Sequence, residues 1–548
     1  MTDAAVVVMA LATALGAWMA RPVPVALAVA VVAVAFVRRR PALLVFGALL
    51  LASGLAARSW HGLHEPVGNE VTGTAVVVTD PVEALGAVRA EVRIDGRRYD
   101  AWARGAAASA LRPLLAGERI RVTGRLRPVT GRARSYLARR HVAARLEMGE
   151  AEPAGRAHGP AHLANQLRRL LDHGSRGLGD RDRGLFAGFV LGDDRGQDAV
   201  TVDDFRSAGL SHLLVVSGQN VAFVLALAAP LVRRGPLVLR VVGGLAVLAL
   251  FGLLTRWEPS VLRAEAMAAL GLVGAAVARP VSSIRLLALA VTGVLLVDPL
   301  LVGSVGFLLS VSACAGIALL SRPLTGWLRG PEWVRAALGV TLAAQAGVAP
   351  VLATVFGGIP VAALPANLLA LPVAGPIMVW GMSAGLLAGL LGGGVAAVLH
   401  VPTRLGIGWT AGVARAAAGL PLGTLTGRHL VVGAGVVVVA AAIPRWRRGA
   451  VLALALLVCL PALTARWPGD GEIPVPGGRL DRRHGVVTLT IDAPSPRLLG
   501  ALRARAVRRI DVLVLSGPGA RLTATTIASR IHVRRLVIQP RVGEKSRP

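Results

Sequence analysis

Residues 209–231 read GLSHLLVVSGQNVAFVLALAAPL, an apolar run with five polar side chains near its start. About 20 apolar residues are enough to cross a bilayer as a helix. Polar groups inside a bilayer are costly unless they face protein or water, and a straight helix would point these on several sides. We expect either a break at Ser217–Gly218 that faces a cavity, or hydrogen bonds and small-residue packing between helices.

Composition places this run in a membrane-like chain. The 548 residues are 54% hydrophobic and 16% charged, with a formal net charge of +30. A soluble chain this basic usually has more charged residues and fewer apolar ones. These figures argue against an ordinary cytosolic enzyme and against a disordered basic tail. They indicate a polytopic α-helical membrane protein with basic loops or domains.

Apolar runs recur along the chain. We expect N-terminal membrane helices in 1–60 and a transmembrane domain in 201–465, with 359–391 broken by its prolines. Arginines cluster in alternate loops, first at Arg38–Arg40, so the positive-inside rule predicts that these loops are cytoplasmic. The runs lie near 4–19, 23–37, 42–57, 209–231, 238–255, 259–278, 284–297, 303–320, 336–352, 359–391, 428–443 and 449–463.

A polar insert, 61–155, separates the early helices from the rest. It alternates like five short strands, and this number suits a small barrel of the OB type. Its core, 66–150, has a net charge of +6. The topology predicts that the insert is extracytoplasmic, where it either binds single-stranded nucleic acid or is a structural barrel with an Arg-rich surface. The expected strands are 71–79, 88–94, 98–103, 119–126 and 142–148.

Two further segments flank the transmembrane domain. A connector, 156–200, contains an amphipathic helix near 162–178, with Arg168 and Arg169 on its polar side. This helix either lies along the membrane interface or caps the insert. The tail, 466–548, has a net charge of +10 and reads as a small α/β domain, also extracytoplasmic. Its expected strands are 486–491, 509–515 and 534–538, with a helix at 496–506.

The sequence predicts no metal centre and no cofactor. Its two cysteines, Cys314 and Cys459, lie far apart in apolar runs, and its 11 histidines form no spaced ligand cluster. His61, His64 and Glu65 cluster beside Trp60, where a metal is conceivable. An interfacial aromatic with polar neighbours is the simpler interpretation.

The polar run is part of a longer pattern, residues 203–221 (DDFRSAGLSHLLVVSGQNV), which resembles the signature of the ComEC family. Members of that family are competence channels that bring DNA across the bacterial cytoplasmic membrane. Further motifs of the family are matched in order by 259–264 (PSVLRA), 298–299 (DP) with 306–310 (GFLLS), and the series Gln345, Pro350, Phe356, Asn367 and Pro372.

The resemblance implies roles for specific residues. Arg263 is either a pore charge, or a group that snorkels or pairs with Glu258 or Glu265. Asp298 has a simpler role as a helix cap. We expect channel or DNA-path residues at Ser211, His212, Ser217, Gly218, Gln219, Asn220, Arg263, Gln345 and Asn367. We expect structural roles for Pro259, Ser260, Asp298, Pro299, Phe307, Ser310, Pro350 and Pro372.

The resemblance also implies that the tail is a metallo-β-lactamase-like domain. At the family's four metal-ligand positions this chain has Gly517, Gly519, Arg521 and Leu522. None of these side chains supplies the nitrogen or carboxylate ligands of a catalytic zinc. We therefore expect no catalytic residues and no nuclease activity, in a degenerate domain that either binds DNA or is vestigial.

The expected function is transport of single-stranded DNA across the bacterial cytoplasmic membrane during natural transformation. The expected partners are the DNA, the lipid bilayer and other competence proteins, including a DNA receptor. The sequence has no Gly-x-x-x-x-Gly-Lys loop, so a cytoplasmic ATPase would supply any ATP-driven pulling. The alternatives are a small-solute permease and, less favoured by the missing ligands, a membrane-tethered hydrolase. The sequence leaves the oligomeric state open.

Overall fold

The chain is mainly helical, with three separate sheets. The structure, a computed structural model, describes residues 1–63, 70–84, 86–216, 218–232, 234–276, 281–420, 422–443, 447–464, 470–493, 495, 498–505, 507, 509–517 and 520–538. Two compact units are present. The first is Met1–Arg195, Val215–Val348 and Gly375–Arg404; the second is Gly196–Leu214, Ala349–Ala374 and Leu405–Pro548.

The first helices in chain order are α1 (Asp3–Met19), α2 (Val25–Val37), α3 (Pro41–His61), α4 (Gly105–Leu111), α5 (Gly131–Ala138), α6 (Gly159–Gly174), α7 (Asp180–Leu191) and α8 (Ala199–Ser207). Next come α9 (Gly218–Val232), α10 (Leu237–Leu254), α11 (Pro259–Ala276), α12 (Ser283–Val297), α13 (Val305–Trp327), α14 (Glu332–Phe356) and α15 (Ala363–Leu391). The last are α16 (Gly393–Leu399), α17 (Val401–Gly419), α18 (Gly427–Ala442), α19 (Arg447–Thr464), α20 (Leu498–Ala504) and α21 (Ala520–Ala528).

The strands are β1 (Glu70–Val77), β2 (Val82–Ala84), β3 (Ala87–Ile94), β4 (Arg97–Ala103), β5 (Arg119–Arg127), β6 (Val142–Gly155), β7 (Ile359–Pro360), β8 (Thr424–Leu425), β9 (Gly471–Val475), β10 (Gly478–Arg483), β11 (Val486–Ile491), β12 (Arg509–Leu515) and β13 (His532–Ile538). Short 3-10 turns occupy Ser175–Gly177, Ser211–Leu213 and Pro299–Gly303.

Six stretches of the described chain are long and apolar enough to cross a membrane. Helices α1 and α2 have only 17 and 13 residues, so they fall short of the roughly 20 that a span requires. The prediction of three N-terminal spans therefore holds by length for α3 alone, because turns at Pro24 and Arg38–Arg40 interrupt the apolar sequence. The six stretches are Pro41–His61, Ser211–Pro230, Leu237–Leu254, Val305–Trp327, Glu332–Phe356 and Ala363–Leu391.

The predicted break inside 359–391 is wrong, because α15 is one helix of 29 residues. Pro365 lies in its first turn, where a missing backbone N–H leaves no helical bond unmade. Pro372 and Pro376 each remove one such bond within a mostly buried helix, and the rest of its hydrogen bonds remain. Only Pro360 of the proline series lies outside the helix, in β7.

The insert forms a six-stranded sheet in the order β1-β5-β6-β4-β3-β2. All five predicted strands are present, and β2 is an addition. The pair β4–β6 is parallel, and the other pairs are antiparallel. Val76 and Val77 of β1 also pair with Arg93 and Val92 of β3, so β1 has two partners. Alternate residues of β5 are buried, and these form one wall of an apolar core.

The tail forms a five-stranded mixed sheet in the order β13-β12-β11-β10-β9. Strands β11, β12 and β13 are parallel, while β9, β10 and β11 are antiparallel. The sequence predicted β11, α20, β12 and β13 but missed the hairpin β9–β10. That hairpin is rich in charge and glycine, so it lacks the apolar alternation of a strand.

A buried ion network joins the six-stranded sheet to the helices of the first unit. Asp80, which follows β1, accepts two hydrogen bonds from Arg256, at 2.8 and 3.0 Å. It also pairs with Arg168 of α6 at 2.8 Å. The same Arg168 nitrogen lies 2.7 Å from Asp193, and Arg168 donates a further bond to the carbonyl of Leu254. The network therefore fixes the sheet to α6, α7 and the end of α10.

The charges in this network stabilise one another strongly. Burial alone raises the pKa of the Asp80 carboxyl, but Arg168, Arg256 and Arg195 outweigh it and hold that pKa below its ordinary value. Burial also opposes ionisation of Asp193, yet hydrogen bonds from Arg195 and the charge of Arg168 lower its pKa to about 2. Arg168, predicted on the polar side of this helix, is only 5% exposed, because that side is covered by Asp80 and Asp193.

Replacement of Asp80 by Ala should destabilise the first unit by about 3–5 kcal/mol, because Arg168 and Arg256 would stay buried without their carboxylate. Chemical denaturation of the purified chain in detergent, followed by tryptophan fluorescence, measures this change. The matched control is Glu70→Ala, whose pair with Arg125 is about 70% exposed on both sides. It should cost under about 1 kcal/mol. Equal losses in the two variants would show that the network does not hold the sheet in place.

Candidate functional site

The polar run 211–221 is interrupted as one of the two interpretations predicts. Ser211–Leu213 forms a single 3-10 turn, and α9 begins only at Gly218. Ser217 lies outside the described residues. The carbonyl of Val216, just before the helix, accepts a hydrogen bond of 2.9 Å from the Ser260 hydroxyl. The start of α11, with its Pro259-Ser260 motif, therefore supports the backbone at the break.

Helix α9 begins directly against Arg263 of α11. A Cβ atom at Gly218 would lie 2.7 Å from Arg263 Nη2 and 3.2 Å from the Ala264 side chain. Both distances are shorter than ordinary van der Waals contact. Glycine favours this close approach of the two helices, because any side chain at this position would have to displace the Arg263 guanidinium and press on Ala264.

Arg263 is buried, with an exposed fraction of 3%. Its Nε donates a 2.8 Å hydrogen bond to Ser310 Oγ, and its Nη1 contacts Met267 Sδ at 3.1 Å and Cys314 Sγ at 3.0 Å. Both sulfur atoms are weak acceptors. Across the described residues, no carboxylate lies within 4.0 Å of this guanidinium, so the expected alternative of a pair with Glu258 or Glu265 is not seen.

A second buried charge-bearing group lies two residues further along α11. Glu265 is 6% exposed, and neither oxygen of its carboxyl has a hydrogen-bond partner among the described residues. An arginine stays protonated in proteins, and a buried charge without a counter-charge is costly. Helix α11 therefore contains two buried ionisable side chains, Arg263 and Glu265, whose burial is costly and is not explained by packing alone.

The other polar residues of α9 also have neighbours. Asn220 donates to the carbonyl of Phe189 on α7 at 3.4 Å. A Cβ at Gly375 of α15 would lie 2.7 Å from Phe223 and 3.8 Å from the Gln219 side chain. Gln219 itself is exposed. Close helix packing thus accounts for Gly218, and a hydrogen bond between helices accounts for Asn220. Both interpretations of the polar run, a break and helix–helix contacts, therefore describe part of the site.

Two predicted path residues have buried polar atoms without a partner in the described chain. Gln345 of α14, in the first unit, has such an atom at Nε2. Asn367 of α15, in the second unit, donates from Nδ2 to the carbonyl of Ala363 at 2.8 Å, while its Oδ1 has no partner. Buried amide groups without partners are uncommon, which keeps both residues candidates for contact with water or a ligand.

Within the second unit, the start of the 203–221 motif packs against the start of α15. Gly209 has a φ of +70°, a left-handed conformation that favours glycine, and a Cβ there would collide with Ala363. Ser211 and His212 follow on the 3-10 turn and are exposed. Ser211, His212 and Asn367 thus belong to the second unit, whereas Gly218, Gln219, Asn220, Arg263 and Gln345 belong to the first.

The residues predicted to be structural have defined contacts. Asp298 caps the turn that starts at Pro299 by accepting from Leu300 N at 3.1 Å, and it also binds His141 of the insert at 2.9 Å. Phe307 is buried. Pro350 lies inside α14 and Pro372 inside α15.

Sequence reasoning missed the surroundings of Arg263. Ser310 was assigned a structural role, and Met267 and Cys314 were given none, yet all three contact its guanidinium. A signal was present in the spacing. Arg263 and Met267, like Ser310 and Cys314, are four residues apart and so share a helix face.

The tail contacts the start of the 203–221 motif within the second unit. Arg530 forms an ion pair with Asp204 of α8, whose side chain is 4% exposed. At Gly517, a Cβ would overlap the carbonyl of Asp492, so no larger residue fits this backbone. Gly519 lies outside the described residues, as do the side chains of Arg521 and Leu522. In the described part of the chain, no group of three or more His, Cys, Asp or Glu could hold a metal ion.

Comparisons with known proteins show that part of the chain is similar to a known family. Residues 189–459, just under half of the chain, match the family model described as "Competence protein". The chain is 30% identical over 190 residues to the uncharacterized protein YcaI of Escherichia coli (strain K12). That similarity covers 31% of this chain and 24% of the relative's length, so the chain spans about a quarter of that protein. No solved structure matches the chain.

Replacement of Gly218 by Val should lower the melting temperature of the purified chain by several degrees, because the new side chain would collide with Arg263 and Ala264. Thermal unfolding in detergent measures it. Gly293 of α12 is the matched control, since nothing lies within 4 Å of a Cβ placed there. Gly293→Val should change the melting temperature little, and an equal drop in both variants would argue against a close contact at Gly218.

Proposed function

We propose that this chain is a multi-pass protein of the bacterial cytoplasmic membrane that transports single-stranded DNA during natural transformation. The match of 189–459 to the competence family supports the proposal. The single structural observation that carries it is Arg263 beside the helix break at Gly218, a buried cation with no carboxylate partner among the described residues. A permanent positive charge of this kind suits a path for a phosphodiester chain.

In this proposal, the DNA contacts polar side chains that are exposed or that have a polar atom without a partner in the described chain. Gln219 is exposed, and Gln345 and Asn367 each have a buried polar atom without a described partner. These amides can exchange hydrogen bonds with passing bases, sugars or water. In the second unit, His212 and Ser211 on the 3-10 turn are exposed polar groups that we also propose as DNA contacts. The energy source would be a cytoplasmic ATPase, and a DNA receptor would deliver the strand.

We assign the six-stranded sheet to the OB type and place it outside the membrane. The assignment is supported by the parallel pair β4–β6, by α4 between β4 and β5, and by the additional β1–β3 pairing. Trp102 has Arg89 at 5.6 Å and Arg145 at 4.9 Å from its ring centre. This ring is already engaged by cations, so DNA contact here would rely on phosphate charge more than on base stacking.

In this proposal the tail stabilises the 203–221 motif and has no enzymatic role. Its Arg530 neutralises the buried Asp204 of α8, a few residues before the polar run. The mixed sheet, and the order β11–α20–β12–α21–β13, are compatible with a degenerate metallo-β-lactamase-like domain. Its positive charge would keep it available for weak DNA contact outside the membrane.

Replacement of Arg263 by Gln should lower DNA uptake by about tenfold or more, since the path would lose its buried positive charge. The measurement is transformation frequency, and uptake of labelled DNA, in a deletion strain complemented with each variant. His212→Ala and Asn220→Ala should reduce uptake as well. The matched control is Arg240→Gln on α10, since Arg240 is exposed and its one side-chain hydrogen bond in the described chain is to the carbonyl of Gly235.

Several outcomes of this experiment are decisive. Normal DNA uptake in the deletion strain would eliminate the channel function. Loss of a small-solute transport activity in that strain, with uptake of DNA unchanged, would support the alternative of a permease. Equal effects of Arg263→Gln and Arg240→Gln would show that the buried position of Arg263 has no special role.

The purified full-length chain should contain no stoichiometric zinc and should not cleave single- or double-stranded DNA. The reason is that Gly517, Gly519, Arg521 and Leu522 supply no metal ligands. Elemental analysis and a nuclease assay with added zinc or manganese test this. Stoichiometric zinc, or cleavage that disappears on removal of residues 466–548, would support the membrane-tethered hydrolase instead.

A further inference from the structure

A cavity lies between the end of α13 and the start of α14, apart from the residues of the proposed path. Its volume is about 380 Å³, and its polar lining comprises Ser321, Arg322, Thr325 and Arg335. A Cβ at Gly339 would collide with Thr325 Oγ1, so the two helices meet directly beside it.

The charge of this cavity is positive and uncompensated. No carboxylate lines it. Throughout the described residues, neither Arg322 nor Arg335 has an Asp or Glu within 4.0 Å. Arg335 Nε is buried and has no hydrogen-bond partner there. Two arginines and two hydroxyls offer several hydrogen-bond donors and no anionic group, an arrangement that suits a phosphate group.

The surroundings of the cavity indicate where such a phosphate comes from. Both α13 and α14 are among the stretches long and apolar enough to span a membrane. Trp327 and Trp333, near the turn that joins these helices, are 48% and 76% exposed. Exposed tryptophans at the ends of spans are typical of the lipid headgroup level. Leu319 and Leu320, on the preceding turn of α13, are exposed apolar residues.

We propose that this cavity binds a phosphate group, and that this phosphate belongs to the headgroup of an anionic phospholipid. Arg322 and Arg335 would bind the phosphate oxygens, while Ser321 and Thr325 donate hydrogen bonds to the headgroup. The acyl chains would then lie against the exposed leucines of α13. Such basic pockets between membrane helices hold anionic lipid at the cytoplasmic surface, the side on which the Arg322–Arg335 loop is predicted to lie.

The test is lipid binding to the full-length chain in detergent, measured by native mass spectrometry with dioleoyl phosphatidylglycerol and with dioleoyl phosphatidylcholine. The double variant Arg322→Gln/Arg335→Gln should weaken phosphatidylglycerol binding about tenfold or more and leave phosphatidylcholine binding unchanged. The matched control is Arg329→Gln, which removes one charge from the same loop outside the cavity. It should have little effect.

Two further measurements keep the outcomes distinct. Ser321→Ala removes only a hydroxyl and should weaken phosphatidylglycerol binding by a few fold, even if the double variant unfolds. Calorimetry with inorganic phosphate separates the sources, since binding of phosphate but not of lipid would identify a free anion as the occupant of the same site. If Arg329→Gln and the double variant weaken phosphatidylglycerol equally, or if no variant changes binding of either probe, the proposal is overturned.

Discussion

The ion network around Asp80 is the constraint on which the first unit depends. Taking one carboxylate out of water is expensive, and here it is offset by bonds from Arg256 and Arg168 together. Through Asp193 the same network reaches the end of α7, whose Phe189 carbonyl binds Asn220. The position of the sheet and the position of the polar start of α9 are therefore linked through one set of charges and the helix between them.

Arg263 is the opposite case, a buried cation that the fold does not neutralise. Its partners are a hydroxyl and two sulfur atoms, while the nearby Glu265 makes no hydrogen bond in the described chain. Proteins retain such costly groups where they serve a ligand or a path. In the tail, by contrast with Arg263, Arg530 has a carboxylate partner, the buried Asp204. Part of the positive charge of the chain is thus paired with buried carboxylates, whereas Arg263 has no carboxylate partner in the described chain.

Periodicity predicted the five main strands of the insert and most helices, because alternation and apolar length are local properties of the sequence. It also predicted the break near Gly218, from the cost of polar groups in an apolar run. It failed at α15, where packing overrode the prolines, and at β9–β10, where charged residues form strands. The sequence placed Arg168 on the polar side of its helix but gave no partner for it, because Asp80 lies 88 residues away in the sequence. Long-range pairs of this kind, and the sulfur contacts of Arg263, depend on the tertiary fold.

The central claim is that DNA passes the start of α9. The most direct test places a photo-cross-linking amino acid at Gln219 in a transformable host and illuminates cells while labelled DNA is being taken up. The account predicts a covalent adduct between the chain and single-stranded DNA at this position, and none when the same amino acid replaces the exposed Val242 on α10. Continued uptake with no adduct at Gln219, or equal adducts at both positions, would contradict it.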